Sequence, residues 1–237
     1  MKVLALDTSN RPLSIAVLED ANILATTTTT THQKHAQYLL PIINDLMVDC
    51  GFQPADLDRI VVAYGPGSYT GIRIATATAK VLAFTLGIDL VGVSSLQTLA
   101  LNVTTEGQLV NPMFDARNQN LFTGLYRIKN GVPEVVIPDQ HVELSDWLAQ
   151  LAKYQDESIV GLADANHFTN DLPNTFTMID NLDNLPQAAN LGLYGQHLTP
   201  VQDIDAFVPN YLRLTKAEAD WQKLHPEEDS NSYVEKI

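Results

Sequence analysis

The sequence predicts an α/β protein of two related subdomains, each a mixed β-sheet flanked by helices. Three observations carry that prediction. The first hundred residues open with three short strand patterns on tight links and then alternate helix and strand, reading βββαβαβα. A second run of strand patterns starts near residue 105 and resembles a degenerate copy of the first. Apolar residues make up 45% of the 237, enough to bury a sizeable core, and that length suggests one to two domains. The expected division is 1–104 and 105–237.

Residues 2–6 (KVLAL) form a short apolar strand ending at Asp7. A turn with Asn10 and Pro12 leads to a strand at 13–18, and a third follows at 22–31, where the six-threonine run suits a pleated surface because threonine is β-branched. From 33 to 50 the apolar residues Leu39, Ile42, Ile43, Leu46, Met47 and Cys50 keep helical spacing, with Pro41 expected to kink the helix and Gly51 to stop it. RIVVAY (59–64) is near-continuously apolar, as a strand covered on both faces must be. After GPGSYTG (65–71) come a helix at about 72–86 closed by Gly87, a strand at 89–93, and a helix to about 102 capped by Ser94 or Ser95.

In the second region, 107–117, 120–128 and 132–138 read as strands, 143–154 as a helix with Ser145 as its cap, 157–164 as a strand and 185–198 as a helix. Beyond Leu214 the chain is polar and acidic, and Pro226 with the run EEDSNS points to a mobile tail from about 226.

Net charge is −14, with only 14 basic residues and no cluster of them. Phosphate backbones are bound through Lys and Arg, so autonomous tRNA or DNA binding is not expected. The single cysteine, Cys50, cannot form an internal disulfide and fits a reducing cytoplasm. The apolar run after Met1 is too short for a signal peptide, and no stretch approaches the roughly 18 apolar residues of a membrane span.

GPGSYTG joins a buried strand to a helix, where backbone N–H groups can hold an anion. It nevertheless fails both nucleotide fingerprints: Thr70 stands where a dinucleotide loop needs its third glycine, and Gly71 is followed by Ile72 and Arg73 rather than Lys and Ser/Thr. A tight strand-to-helix turn also explains it. In the helix beyond, Ala75, Ala79 and Ala83 recur every four residues, which permits close approach either to the protein's own sheet or to another helix. Asp7, Thr8 and Ser9 form an Asx-type turn or the remnant of a metal–phosphate site. His32 and His35 have ligand spacing but no third ligand nearby, so no metal is expected. Neither a nucleophile triad nor HExxH can be assembled.

DTS (7–9), HAQYLLPII (35–43), YGPGSYTGIR (64–73), VGVSSLQTLA (91–100), FDAR (114–117) and PNYLR (209–213) are similar, in order and spacing, to the TsaB (YeaZ-type) family. The resemblance spans nearly the whole chain except about 140–200. It implies an actin-like (ASKHA) fold and a cytoplasmic, non-catalytic dimerisation subunit. The system it serves transfers a threonylcarbamoyl group to adenosine in tRNA. Implied partners are a TsaD-type catalytic paralogue and a TsaE-type ATPase, with a homodimer when alone and tRNA met only through the complex. ATP is then used by the complex, with no cofactor on the isolated subunit. Ser95 and Leu99 stand where the catalytic paralogue carries its histidine metal ligands, which implies an inactive relative. The expected partner face is a bundle of two helices from each subunit, comprising His35, Leu39, Ile42, Ile43, Leu46, Met47, Ser68, Tyr69, Thr70, Ile72, Arg73, Ala75, Thr76 and Ala79. The competing reading is an ATP-dependent, sugar-kinase-like enzyme of the same fold, whose adenosine loop would have to come from Gly192 and Gly195.

Overall fold

The computed structural model describes residues 1–30 and 35–213. Strands β1 (Lys2–Asp7), β2 (Leu13–Glu19) and β3 (Asn22–Thr29) form an antiparallel meander, because links this short can only reverse the chain. Helix α1 (His35–Asp49) then carries the chain over to β4 (Arg59–Ala63), and α2 (Tyr69–Leu86) to β5 (Asp89–Val93). Helical crossovers return the chain in the same direction, so β4 pairs parallel with β1, and β5 with β4. The sheet order is β3-β2-β1-β4-β5.

After the short helix α3 (Ser95–Ala100) the plan repeats. Strands β6 (Leu109–Asp115), β7 (Asn120–Lys129) and β8 (Val132–Glu143) are antiparallel, while β9 (Ile159–Ala163) and β10 (Phe176–Met178) continue the sheet in parallel beyond β6. Counted from its own first strand, each five-stranded sheet runs third, second, first, fourth, fifth. This duplicated mixed sheet with flanking helices is the actin-like (ASKHA) fold. Helix α4 (Leu144–Leu151) packs Trp147 into the second core, where the indole N–H donates to Asn111 Oδ1 at 3.1 Å.

Strand periodicity divides the first sheet's side chains between two layers. Leu4, Leu6, Ile60 and Val62 face α1 and α2, whereas Val3, Ala5, Val61 and Ala63 face α5 (Ala188–Gly195). Two glycines let α5 lie directly on the strands. A Cβ on Gly192 would stand 2.5 Å from Leu18 Cδ1, and one on Gly195 would stand 2.3 Å from Val61 Cγ1. The 105–237 division is therefore corrected at its C-terminal end, since α5 covers the first sheet because that face would otherwise stay open.

Smaller differences have local causes. Helix α2 starts at Tyr69, three residues before the expected position, because Ser68 caps it by accepting from Gly71 N. Ser145 does not cap α4; the preceding Glu143 holds that place without a side-chain bond. β8 extends to Glu143 instead of stopping near 138, and the expected 185–198 helix is confined to Ala188–Gly195. β10 went unanticipated, being three residues between polar loops. Helix α1 continues through the exposed Pro41. His32 and the tail from 226 lie outside the described residues. Among the described residues, no helix is long and apolar enough to cross a membrane.

Candidate functional site

Asp7, Thr8 and Ser9 lie at the end of β1, all buried. Asp7 Oδ1 accepts from Ser9 N at 2.8 Å, Thr8 Oγ1 donates to Gly71 O at 2.7 Å, and Ser68 N donates to Ser9 O at 2.7 Å. The GPGSYTG loop is thus laced onto this turn. Its glycines are dictated by contact: a Cβ on Gly67 would meet Ser9 O at 2.2 Å, and one on Gly71 would meet Thr8 O at 2.0 Å. Burial pushes the Asp7 carboxyl up to about 6, against the hydrogen bonding from Ser9 that pulls it down. The turn presents no open surface on which a metal–phosphate could sit.

The expected partner residues separate into two faces. Ala75, Ala79 and Ala83 are 0% exposed, and Ile72 and Thr76 are buried beside them. Leu39, Ile43, Leu46 and Met47 are buried in the same core, with Ile42 half-buried against it. The alanine row therefore packs on the protein's own sheet, which corrects its assignment to a partner seam. Small side chains are what a helix needs to lie close on β4. His35 is half-buried, with Nε2 3.2 Å from Asn10 O.

Ser68, Tyr69, Thr70 and Arg73 are exposed, and Arg73 Nη1 donates to Tyr69 OH at 2.8 Å. They open a stripe that continues through Ala77 to Val81 and Phe84, which are 63% and 64% exposed. On α1, Leu40 and Val48 are 55% and 64% exposed and Tyr38 is also open. Leu40 belongs to the broad apolar surface expected of α1 from its sequence, whereas Tyr38, Val48, Val81 and Phe84 are not among the expected partner residues. The available signal was angular: Val81 lies two positions from Ala79, about 200° around a helix and so on its opposite side.

Ser95 and Leu99 are both buried. Ser95 Oγ accepts from Gly65 N at 3.1 Å, and Ser95 N donates to Gly65 O at 3.0 Å, so this serine ties α3 to the loop before α2. Next to it, the Ser94 hydroxyl caps α3 and donates to Asp139, which also accepts from the Tyr126 hydroxyl. That carboxyl bridges the two halves of the molecule and is raised by burial. Among the described residues, no group of three or more His, Cys, Asp or Glu could hold a metal ion. Gly192 and Gly195 sit inside α5, where close packing accounts for both, so they form no adenosine loop.

The family described as "TsaD: tRNA N6-adenosine threonylcarbamoyltransferase" matches residues 22–221. The tRNA threonylcarbamoyladenosine biosynthesis protein TsaB of Bacillus subtilis (strain 168) is 41% identical over 226 residues, which are 93% of this chain and 98% of that protein. Its namesake from Escherichia coli (strain K12) is 30% identical over 135 residues, 56% of this chain and 58% of that one. The solved structure described as YeaZ from Pseudomonas aeruginosa superposes with a TM-score of 0.75 at 27% identity, covering 89% of this chain and 99% of its own. With sequence likeness running nearly end to end through the same fold, the chain belongs to the TsaB family.

Proposed function

We propose that this chain is the non-catalytic dimerisation subunit of a complex that transfers a threonylcarbamoyl group to adenosine in tRNA. The observation that carries the reading is the exposed apolar stripe on α1 and α2, with Leu40, Val48, Val81 and Phe84 open to water. Apolar side chains grouped in this way mark association surfaces. The names of the relatives supply the reaction, and Ser95 and Leu99, one tied to Gly65 and the other in the core, argue against a metal-dependent active site here. The partner that fits is a TsaD-type paralogue presenting a related helix pair, with a TsaE-type ATPase joining the assembly. ATP chemistry and tRNA contact belong to that cytoplasmic complex. When the paralogue is absent, the same stripe pairs two copies of this chain.

Light scattering on Phe84→Asp, alone and mixed with the cognate paralogue, tests this. A charge placed in a desolvated seam is expected to weaken pairing at least about tenfold while leaving the monomer folded. Unchanged complex mass with a folded variant would place the interface elsewhere.

A further inference from the structure

We propose that Asp139 is a pH-sensitive joint between the two subdomains, closed firmly in acid and loosened at neutral pH. The inference goes beyond the partner reading and does not rest on it.

The joint begins at an irregularity of the second sheet. Thr123 of β7 lies opposite Gln140 of β8, but Leu125 lies opposite Ile137, so β8 carries an extra residue between them. Asp139 sits in that bulge. Facing it on β7 is Gly124, which is not among the glycines with left-handed backbone. Space dictates this glycine instead, because a Cβ there would stand 2.6 Å from Asp139 Oδ1.

Two hydroxyls meet the carboxyl in this niche. Tyr126 of β7 donates to Oδ1, and Ser94, where β5 passes into α3, donates to Oδ2. Each hydroxyl has one hydrogen and spends it on Asp139. Ser94 Oγ also accepts from Leu96 N at 3.1 Å and from Gln97 N at 3.3 Å, so the same oxygen caps α3. Ser95 beside it holds Gly65 through two bonds. A carboxyl of the second sheet thereby fixes the start of α3 and, through it, the loop before α2.

No cation balances this charge. Among the described residues Asp139 forms no ion pair. The titratable groups around it are tyrosines: Tyr126 on β7 and Tyr64 just after β4, with Tyr194 of α5 acting on Tyr126. Burial and the charge of Asp139 push the hydroxyls of Tyr64 and Tyr126 up, so both stay protonated and offer dipoles rather than charge. Burial pushes the Asp139 carboxyl up as well, against Ser94 and Tyr126, which pull it down. The side chain as a whole is half-buried, so a small parting of the junction rehydrates it. The closed junction therefore holds the proton more tightly than an opened one. Protonation favours closure, and losing the proton as pH rises above the ordinary carboxylate range withdraws that support.

Hydrogen exchange on the full chain, natural and Asp139→Asn, tests this between about pH 5 and about pH 8. The amides of Leu96 and Gln97 report the joint, since Ser94 Oγ holds them. Asparagine keeps the size and an acceptor but carries no charge. At each pH, the ratio of the natural rate to the variant rate cancels intrinsic exchange and the titration of Asp7, which both proteins share. That ratio should rise about threefold or more across the range at Leu96 and Gln97, and stay constant for the amides of β1 and β4. Tyr126→Phe removes one of the two donors, so it should steepen the rise in the natural background and leave the Asp139→Asn background flat. A flat ratio at Leu96 and Gln97 would overturn the proposal. So would a falling one, because the ionised carboxylate would then be what closes the junction. A rise shared equally by β1 and β4 would also overturn it, as the mark of global unfolding. If Asp139→Asn does not fold, the comparison of natural protein with Tyr126→Phe decides, and a pH-independent ratio there rejects the joint.

Discussion

Asp7 is a carboxyl taken out of water with half of its bonding capacity unused: Oδ1 is held by Ser9 N, while Oδ2 has no partner among the described residues. Its folded value of about 6 lies above the ordinary 3.8, so the folded protein holds this proton more tightly than the unfolded chain. The associated stabilisation is complete below about pH 4 and is lost as pH rises through about 6. Replacing Asp7 by Asn keeps the acceptor for Ser9 N and removes the titration. Relative to Asp7→Asn, the natural protein should therefore lose stability on the order of 2–3 kcal/mol between about pH 4 and pH 7. Urea unfolding of both proteins across that range measures it. Parallel curves would show that Asp7 does not titrate there.

Helix α2 has two faces with different tasks, and each variant should report only one. Ala79→Leu forces extra methylenes between α2 and β4, so a loss of about 1–3 kcal/mol or more is expected in the monomer. Phe84→Asp should stay within about 0.5 kcal/mol of the natural monomer, because its ring touches mostly water. Chemical denaturation separates them, and a reversed ranking would exchange the faces. Helix α5 depends on a single side chain at its C-terminal end. Buried Arg59 donates through Nη1 to the carbonyl oxygens of Gly195, Gln196 and Leu198 at 2.9–3.1 Å, satisfying groups the helix leaves unpaired. Nη2 meets the half-exposed Asp89 at 2.8 Å, a weaker contribution because water screens it. Arg59→Ala should cost about 2–4 kcal/mol, while Asp89→Ala should cost under about 1 kcal/mol. Equal losses in thermal unfolding would assign the stabilisation to the ion pair instead.

At the scale of the molecule, the two sheets share one topology but not equal independence. The first needs α5, which arrives after the whole second sheet has been built. A fragment of residues 1–104 would leave Val3, Ala5, Ala16, Leu18, Val61 and Ala63 without their cover. It is expected to unfold without cooperativity and to bind a hydrophobic dye, whereas residues 1–213 should unfold cooperatively. A cooperative transition in the short fragment would show that α5 is dispensable.

The buried strand RIVVA was legible not from alternation, since all five positions are buried, but from its short β-branched run bounded by turn residues. Link lengths decided direction: short turns made β1–β3 antiparallel, and helical crossovers made β4 and β5 parallel. The motifs spread from DTS to PNYLR, most specifically GPGSYTGIR, carried the family. The sequence did not show which face of α2 meets the sheet, because a small-residue row serves an intramolecular or an intermolecular seam equally well. Nor could local pattern explain Gly67, Gly71, Gly192 or Gly195, whose necessity comes from atoms tens to well over a hundred residues away. The joint at Asp139 is equally non-local, tying the start of α3 to a strand residue 45 positions later. Sequence by itself determined most of the elements, their order and the kinship, since these rest on short-range patterns, but not β10 or the exact ends of β8 and α5. Only the tertiary structure decided which apolar residues remain open to water and which carboxyl closes the junction without a cation, because both depend on where the distant chain comes to lie.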